Sequence, residues 1–211
     1  MNTQFMSGFK KSLGVYRLTW TDLKAAKPYF EKSEIVKSHS QEIRKRKQRW
    51  AEKIFSQLNI EVNIKGEPQS EESHLFVGNH ISYLDIPLIM RCAPQVAFVA
   101  KKEIQSWPLF GSAARAIGTV FVDRSNLHSR GQAKRTISQA LERGESIAVF
   151  PSGTTTLGER TPWKKGAFEI AHQGNFWVQP FKISYSPARI CAYIEDDFFL
   201  THLIKMGTHS K

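Results

Sequence analysis

From residue 59 onward, short β-type apolar runs alternate with stretches of helical period, and few architectures accommodate that pattern. The runs are Ile60–Ile64, Leu75–Gly78, Val96–Ala100, Thr119–Val122, Ile147–Phe150, Val178–Ile183 and Ile190–Ile194. Most are bounded by Gly, Pro, Asn or Asp, as strands are. Between them the pattern turns helical over Asp85–Arg91, Leu109–Ala116, Ser129–Arg143 and Lys164–Gln173. Such alternation predicts an α/β fold with a central, largely parallel or mixed sheet buried between helices. Residues 59–211 are expected to form this unit. Gly66–Ser73, with Pro68, reads as a loop inside it, and no linker divides it.

Residues 1–58 follow a different rule. Phe9, Leu13, Tyr16, Trp20 and Leu23 recur at helical spacing, with Lys10, Lys11, Arg17 and Lys24 between them, and Pro28 then interrupts. A second stretch places Ile43, Trp50, Ile54 and Leu58 on one side and Arg44, Lys45, Arg46 and Arg49 elsewhere. The chain carries 30 basic and 19 acidic side chains, and the imbalance is concentrated here: 13 against 5 in residues 1–58, 17 against 14 in the remainder. A cationic amphipathic helix bearing tryptophan suits an anionic membrane surface, where lysines meet lipid phosphates and the indole sits at headgroup depth. The competing reading packs both stripes onto the body and leaves the charges as a solvated face. A nucleic-acid partner is not expected, because no zinc finger, aromatic-studded sheet motif or recognition-helix pattern accompanies the run Arg44–Arg49.

Several classes are excluded. Cys92 and Cys191 lie 99 positions apart with no C-x-x-C, which leaves neither a disulfide scaffold nor a cysteine zinc site. No run of about 18 apolar residues occurs, so a conventional membrane span is not expected. Met1–Phe5 lack the charged flank and apolar region of a secretory signal, and a reducing, cytoplasmic setting is the expectation. No G-x-S-x-G elbow marks a serine hydrolase.

Three segments carry candidate chemistry, each where a predicted strand runs into a loop, the place where open α/β sheets gather functional side chains. The first is Gly78-Asn79-His80-Ile81-Ser82-Tyr83-Leu84-Asp85. In a continuous helix His80 and Asp85 would stand about 140° apart and never meet. With His80 in the turn before a helix and Asp85 in its first turn, the carboxylate can hold one imidazole nitrogen and leave the other free as a general base. Ser82-x-x-Asp85 also reads as a capping box, which would make Asp85 only a helix-start carboxylate. The second segment, Gly118–Arg124, ends in Asp123-Arg124, and an arginine fork suits phosphate or carboxylate. An Asp–Arg pair closing a turn is the structural alternative. The third, Ile147–Thr155, runs into Pro151-Ser152-Gly153-Thr154, whose amides and hydroxyls can face an anion or simply form a turn.

In this order and at these separations, the segments resemble the glycerolipid acyltransferases of the 1-acylglycerol-3-phosphate acyltransferase type. The family's N-H-x-S/Q-x-x-D motif is matched by Asn79, His80, Ser82 and Asp85. Its G-x-x-F-x-D/R-R motif is matched by Gly118, Phe121, Asp123 and Arg124. Phe150, Pro151, Gly153 and Thr154 match part of F-P-E-G-T-R-S; Val178-Gln179-Pro180-Phe181 matches a strand-borne proline motif, and Lys101 stands in a V-A-K-x-E pattern. The resemblance covers roughly residues 45–205 and implies direct acyl transfer without metal or cofactor. His80 would be the base and Asp85 its support. Lys101, Arg124 and the loop Ser152, Gly153, Thr154 and Thr155 would bind substrate, with backbone amides around Gly153 facing the oxyanion.

The implied donor is an acyl thioester of coenzyme A or acyl carrier protein, the acceptor a lysolipid, and the location the cytoplasmic face of the membrane. Two departures bear on the acceptor. Ser152 replaces the motif's Glu and Thr155 its Arg, and loss of an arginine fork weakens a preference for a phosphomonoester. A lysolipid without terminal phosphate, such as lyso-ornithine lipid, is therefore the alternative acceptor. A lipid-binding homologue with weakened catalysis is the non-enzymatic alternative. The family also continues past the segment equivalent to Asp196–Met206, which implies a shortened end.

Overall fold

The computed structural model describes residues 3–30, 41–68, 74–157, 161–194 and 198–209. Five parallel strands, β1 (His74–Gly78), β2 (Ala97–Lys101), β3 (Val120–Val122), β4 (Ile147–Val149) and β5 (Trp177–Phe181), form one sheet in the order β3-β2-β4-β1-β5. Helices α1 (Thr3–Phe30) and α2 (Gln41–Gln57) precede it. In the connections lie α3 (Asp85–Cys92), α4 (Phe110–Ala116), α5 (Leu127–Glu142) and α6 (Gly166–Gly174), with a short 3-10 turn at Lys102–Ser106. The chain then runs through α7 (Ala188–Cys191) and α8 (Phe199–His209).

Alternation along the strands divides the core into two layers. Phe76, Phe98, Ala148 and Phe150 face α2 and α3, packing on Ala51, Ile89 and Met90. Leu75, Val77, Ala97 and Ile147 face α5 and α6 through Ile137, Leu141 and Ile170. Every residue of β1 is buried, as expected for a parallel strand covered on both faces. Pro180 is tolerated because β5 is an edge strand and pairs only with β1.

Two predicted strands are corrected. Ile60–Ile64 is a loop after α2, with Glu61, Asn63 and Ile64 exposed. The segment is not among the five strands of the sheet, and with Ile64 exposed its alternation buries no apolar face. In the run Ile190–Ile194 the first residues belong to α7 and the rest to a loop, with Cys191 and Ala192 buried against neighbouring elements. A short apolar run does not by itself distinguish strand from buried helix. The four connecting helices form within two residues of their predicted bounds, and α1 ends at Phe30, two residues past Pro28.

The first two helices use their apolar residues differently. In α2, Ile43, Ala51, Ile54 and Phe55 are buried, as is Leu58 just beyond its end. In α1 the inward side is instead small and polar: Ser12, Val15 and Thr19 are buried, and Gly8 lies against α8, where an added methyl group would meet the Ile204 carbonyl at 2.5 Å. The stripe Phe9, Leu13 and Trp20 consequently points outward, at least 45% exposed at each position. No helix among the described residues is long and apolar enough to cross a membrane.

The basic run of α2 is also split. Arg46 and Arg49 reach Glu42, whereas Lys47 turns into the core and donates to the Val96 carbonyl at 3.1 Å. Burial pulls the Lys47 ammonium down from 10.5 to about 7, with Arg44 adding to the effect and Glu145 opposing it. Below about pH 7 the folded protein must hold a buried cation. Between there and 10.5 it sheds that proton while the unfolded chain keeps it, so this group makes stability rise with pH across that window. Lys47→Met is expected to raise stability by about 2 kcal/mol at pH 6 and to lose the advantage by about pH 10, where only the missing hydrogen bond remains. Thermal unfolding of parent and variant across that range checks it.

Candidate active site

Because all strands are parallel, their C-terminal ends share one edge of the sheet, and the motif-bearing segments meet there. His80 follows β1 by two residues, Lys101 ends β2, Arg124 follows β3 by two, and Phe150–Thr155 leave β4. The exit from β1 is tightly held. The Asn79 side chain donates to the Ile183 carbonyl and accepts from the Ile183 amide, both at 2.8 Å, extending the β1–β5 ladder by side chain. Gly78 admits no substituent, since a methyl group there would lie 2.3 Å from the Phe181 ring.

His80 and Asp85 do meet. His80 sits in the turn, Asp85 opens α3, and Nδ1 lies 2.6 Å from Oδ2. The same oxygen accepts the Ile81 and Ser82 amides at 2.7 and 3.1 Å, and Oδ1 accepts the Tyr185 hydroxyl at 2.6 Å. Asp85 is fully buried, so these donors replace the water it has lost. Both sequence readings of Asp85 are realised together: it caps the turn, as in a capping box, and it holds the imidazole. The Ser82 hydroxyl accepts from Leu84, two residues on, so the reciprocal half of the box is not formed.

With Nδ1 committed to a carboxylate, the proton stays on Nδ1 and the Nε2 lone pair is free to act as base. The imidazole is stacked on Phe150, centroids 4.0 Å apart and planes within 14°, which fixes its orientation. Tyr185 was not among the sequence candidates. It is 100 residues from Asp85, and no local pattern links them. Burial, then the Asp85 charge, pushes the Tyr185 phenol far above its ordinary range, so it stays a donor.

A cavity of about 1220 Å³ opens beside His80. Lys101, Arg124, Gly153, Thr154 and Thr155 line its polar part, while Ile86, Met90, Ala113 and Ile117 line the apolar part. Ser152 stands apart from the other sequence candidates: it is buried and its hydroxyl donates to the Thr154 carbonyl at 2.8 Å, bracing the loop. The Gly153 amide is also engaged, donating to Phe150 at 3.0 Å, so it does not face the cavity as an oxyanion donor. The Thr156 amide donates to the His80 carbonyl at 2.9 Å and ties this loop to the β1 turn.

Asp123 and Arg124 part company rather than pairing. Asp123 accepts the amide and hydroxyl of Ser125, which hold its carboxyl below the usual range, and it closes the turn before α5. Arg124 turns into the cavity, where burial lowers its pKa and Glu103 opposes that shift. Among the described residues no group of acidic, histidine or cysteine side chains could hold a metal.

Residues 59–184 match the family model described as Acyltransferase. The chain is 36% identical to the lyso-ornithine lipid O-acyltransferase of Pseudomonas aeruginosa, over 73% of this chain and 60% of that protein. It is 32% identical to a 1-acyl-sn-glycerol-3-phosphate acyltransferase of Neisseria meningitidis serogroup B, over 56% of this chain and 47% of that protein. The crystal structure of the 1-acyl-sn-glycerophosphate acyltransferase from Thermotoga maritima shares the fold, with a TM-score of 0.60 at 23% identity, over 83% of this chain and 73% of that one. The chain thus spans about half to three-fifths of the length of the curated relatives it matches. A family match over more than half of the chain establishes it as a member of the acyltransferase family.

Proposed function

We propose that this protein moves an acyl group from a thioester donor, acyl-coenzyme A or acyl carrier protein, to the hydroxyl of a lysolipid. The observation that carries the reading is the 2.6 Å contact between His80 and a fully buried Asp85 at the mouth of a largely apolar cavity. His80 Nε2 takes the proton from the acceptor hydroxyl, and the oxygen attacks the thioester carbonyl. The carbonyl–sulfur bond then breaks, and the leaving thiolate recovers the proton from the imidazolium. Asp85 stabilises that imidazolium and keeps the ring in the productive tautomer. Neither Cys92 nor Cys191 is needed as a nucleophile, and burial raises both thiols, which makes thiolate less accessible.

The apolar wall beside Ile86, Met90 and Ile117 receives the acyl chain, and Arg124 and Lys101 hold the acceptor's anionic group. The outward stripe Phe9, Leu13 and Trp20, flanked by exposed Lys10, Arg17 and Lys24, rests on an anionic membrane surface and brings the cavity to its substrate. For the acceptor, Thr155 supplies no arginine fork and Ser152 faces inward, which favours a lyso-ornithine-type lipid over lysophosphatidic acid. The relative named as a lyso-ornithine lipid O-acyltransferase supports the same preference.

Purified protein incubated with acyl-coenzyme A and a panel of lysolipids should release free thiol and yield one identifiable product by mass. Capture of vesicles without thiol release on any acceptor would overturn the enzyme reading. His80→Ala is expected to lower turnover at least about 1000-fold while the chain still folds and binds vesicles, with the unfolding temperature lowered because Asp85 loses one donor. Arg124→Ala should raise KM for the acceptor about ten-fold or more and leave the donor KM nearly constant, measured by varying each substrate in turn. Tyr185→Phe removes one donor from Asp85. It is expected to reduce kcat about three- to ten-fold and to leave the KM of both substrates nearly unchanged, measured by steady-state kinetics of parent and variant.

A further inference from the structure

Lys164 belongs to none of the motif-matching segments. It lies just before α6, and its amide donates to the Pro151 carbonyl at 3.0 Å, which binds its backbone to the loop leaving β4. Its side chain returns over that same loop. A methyl group placed on Gly153 would sit 2.9 Å from Lys164 Nζ and 3.3 Å from Arg124 Nη1. Two cations from different parts of the chain therefore converge on the one loop position that carries no side chain. Gly153 has φ of +77°, a conformation that disfavours any other residue, so the opening between the cations is built into the backbone.

Neither cation forms an ion pair among the described residues, although the structure pairs Lys134 with Glu169 and Lys53 with Asp22 elsewhere. Like charges aimed at one point beside an apolar wall repel one another, and an anion placed between them removes that repulsion and gains two charge-assisted contacts. The loop also sets the distance to the chemistry. Phe150 stacks on the His80 ring and the Thr156 amide holds the His80 carbonyl, so Gly153 lies in the segment that brackets the base from both sides.

We propose that Lys164 and Arg124 form a two-cation subsite over Gly153 for the anionic group of the acceptor headgroup, a carboxylate or a phosphate, with Lys164 as a specificity-determining residue. The acceptor as owner of that anion rests on the acyl-transfer reading; the subsite itself does not. Arg124 offers a planar fork and Lys164 an adaptable point charge, a pair that accepts either group in the absence of a second arginine at Thr155. An anion held here delivers the acceptor's hydroxyl to His80 and leaves the thioester's approach unchanged.

The test uses the full chain, Lys164→Ala, Lys164→Arg and the charge-matched control Lys65→Ala, a change in the exposed loop after α2. Kinetics compare a phosphate-headgroup lysolipid, a carboxylate-headgroup lysolipid and an uncharged monoacylglycerol. Lys164→Ala should raise KM for charged acceptors about ten- to a hundred-fold, with kcat and donor KM within about three-fold, and should leave the uncharged acceptor unaffected. Lys164→Arg should recover most of the loss, and Lys65→Ala should behave as the parent. The larger penalty between the two charged acceptors identifies which anion the subsite takes. An equal penalty on the uncharged acceptor, or a rise in donor KM instead, overturns the proposal.

Anion binding is read separately, by thermal unfolding in inorganic phosphate or acetate against chloride at matched ionic strength. Stabilisation of the parent that Lys164→Ala abolishes supports the subsite even if no acceptor is turned over, in which case only the acyl-transfer reading falls. Equal stabilisation of both proteins, or of neither, overturns the subsite.

Discussion

A carboxylate with no access to water must be fully satisfied by the protein around it, and the site is organised by how that is done for Asp85. Its two oxygens take two backbone amides from the turn after β1, one imidazole and one phenol. The first two contacts hold the turn, the third holds the His80 imidazole, and the fourth reaches across to the segment that follows β5. Removing the charge would disturb the local backbone as well as the imidazole, because one group serves both. That dual use explains why a five-residue spacing, geometrically wrong for a helix, is right for a turn that enters one.

The second constraint is strand direction. Parallel strands must be joined by crossovers that return each chain to the same starting edge, which leaves every C-terminal end on the other edge. Residues as distant as His80, Lys101, Arg124 and Thr155 become neighbours for that reason alone. The cavity they share is asymmetric: its wall along α3 and α4 is apolar, and its rim at the strand ends is cationic. An amphiphile with a charged head and a greasy tail is the complementary shape. The outward-facing apolar stripe of α1 adds a second apolar surface, left exposed while Gly8 and Val15 pack against α8.

Much of this was legible in the chain. The α/β class, the four connecting helices and all five strands could be read from periodicity, and the His80–Asp85 pairing from the condition that the imidazole lie in a turn and the carboxylate open the helix. The misreadings have definite causes. Ile60–Ile64 and Ile190–Ile194 have strand-like composition, but a strand also needs a neighbouring backbone, and neither segment pairs with one of the five strands. Ser152 and the Gly153 amide looked available to a ligand, yet a tight turn consumed both in its own hydrogen bonds. Lys47 stands inside the basic run Arg44–Arg49, and helix phase carries it inward beside Ile43 and Ala51.

What the sequence by itself determined was which residues alternate, which turn and which carry charge, since these follow from side-chain type and spacing along a local backbone. It was enough for the fold class and for the residues of the β1 turn. Only the tertiary structure decided what approaches from far along the chain. Tyr185 reaching Asp85, Phe150 lying flat on His80 and Lys164 meeting Arg124 above Gly153 all depend on how separate segments are stacked. No local rule encodes those contacts, because each is set by packing distances between elements and not by the periodicity within one.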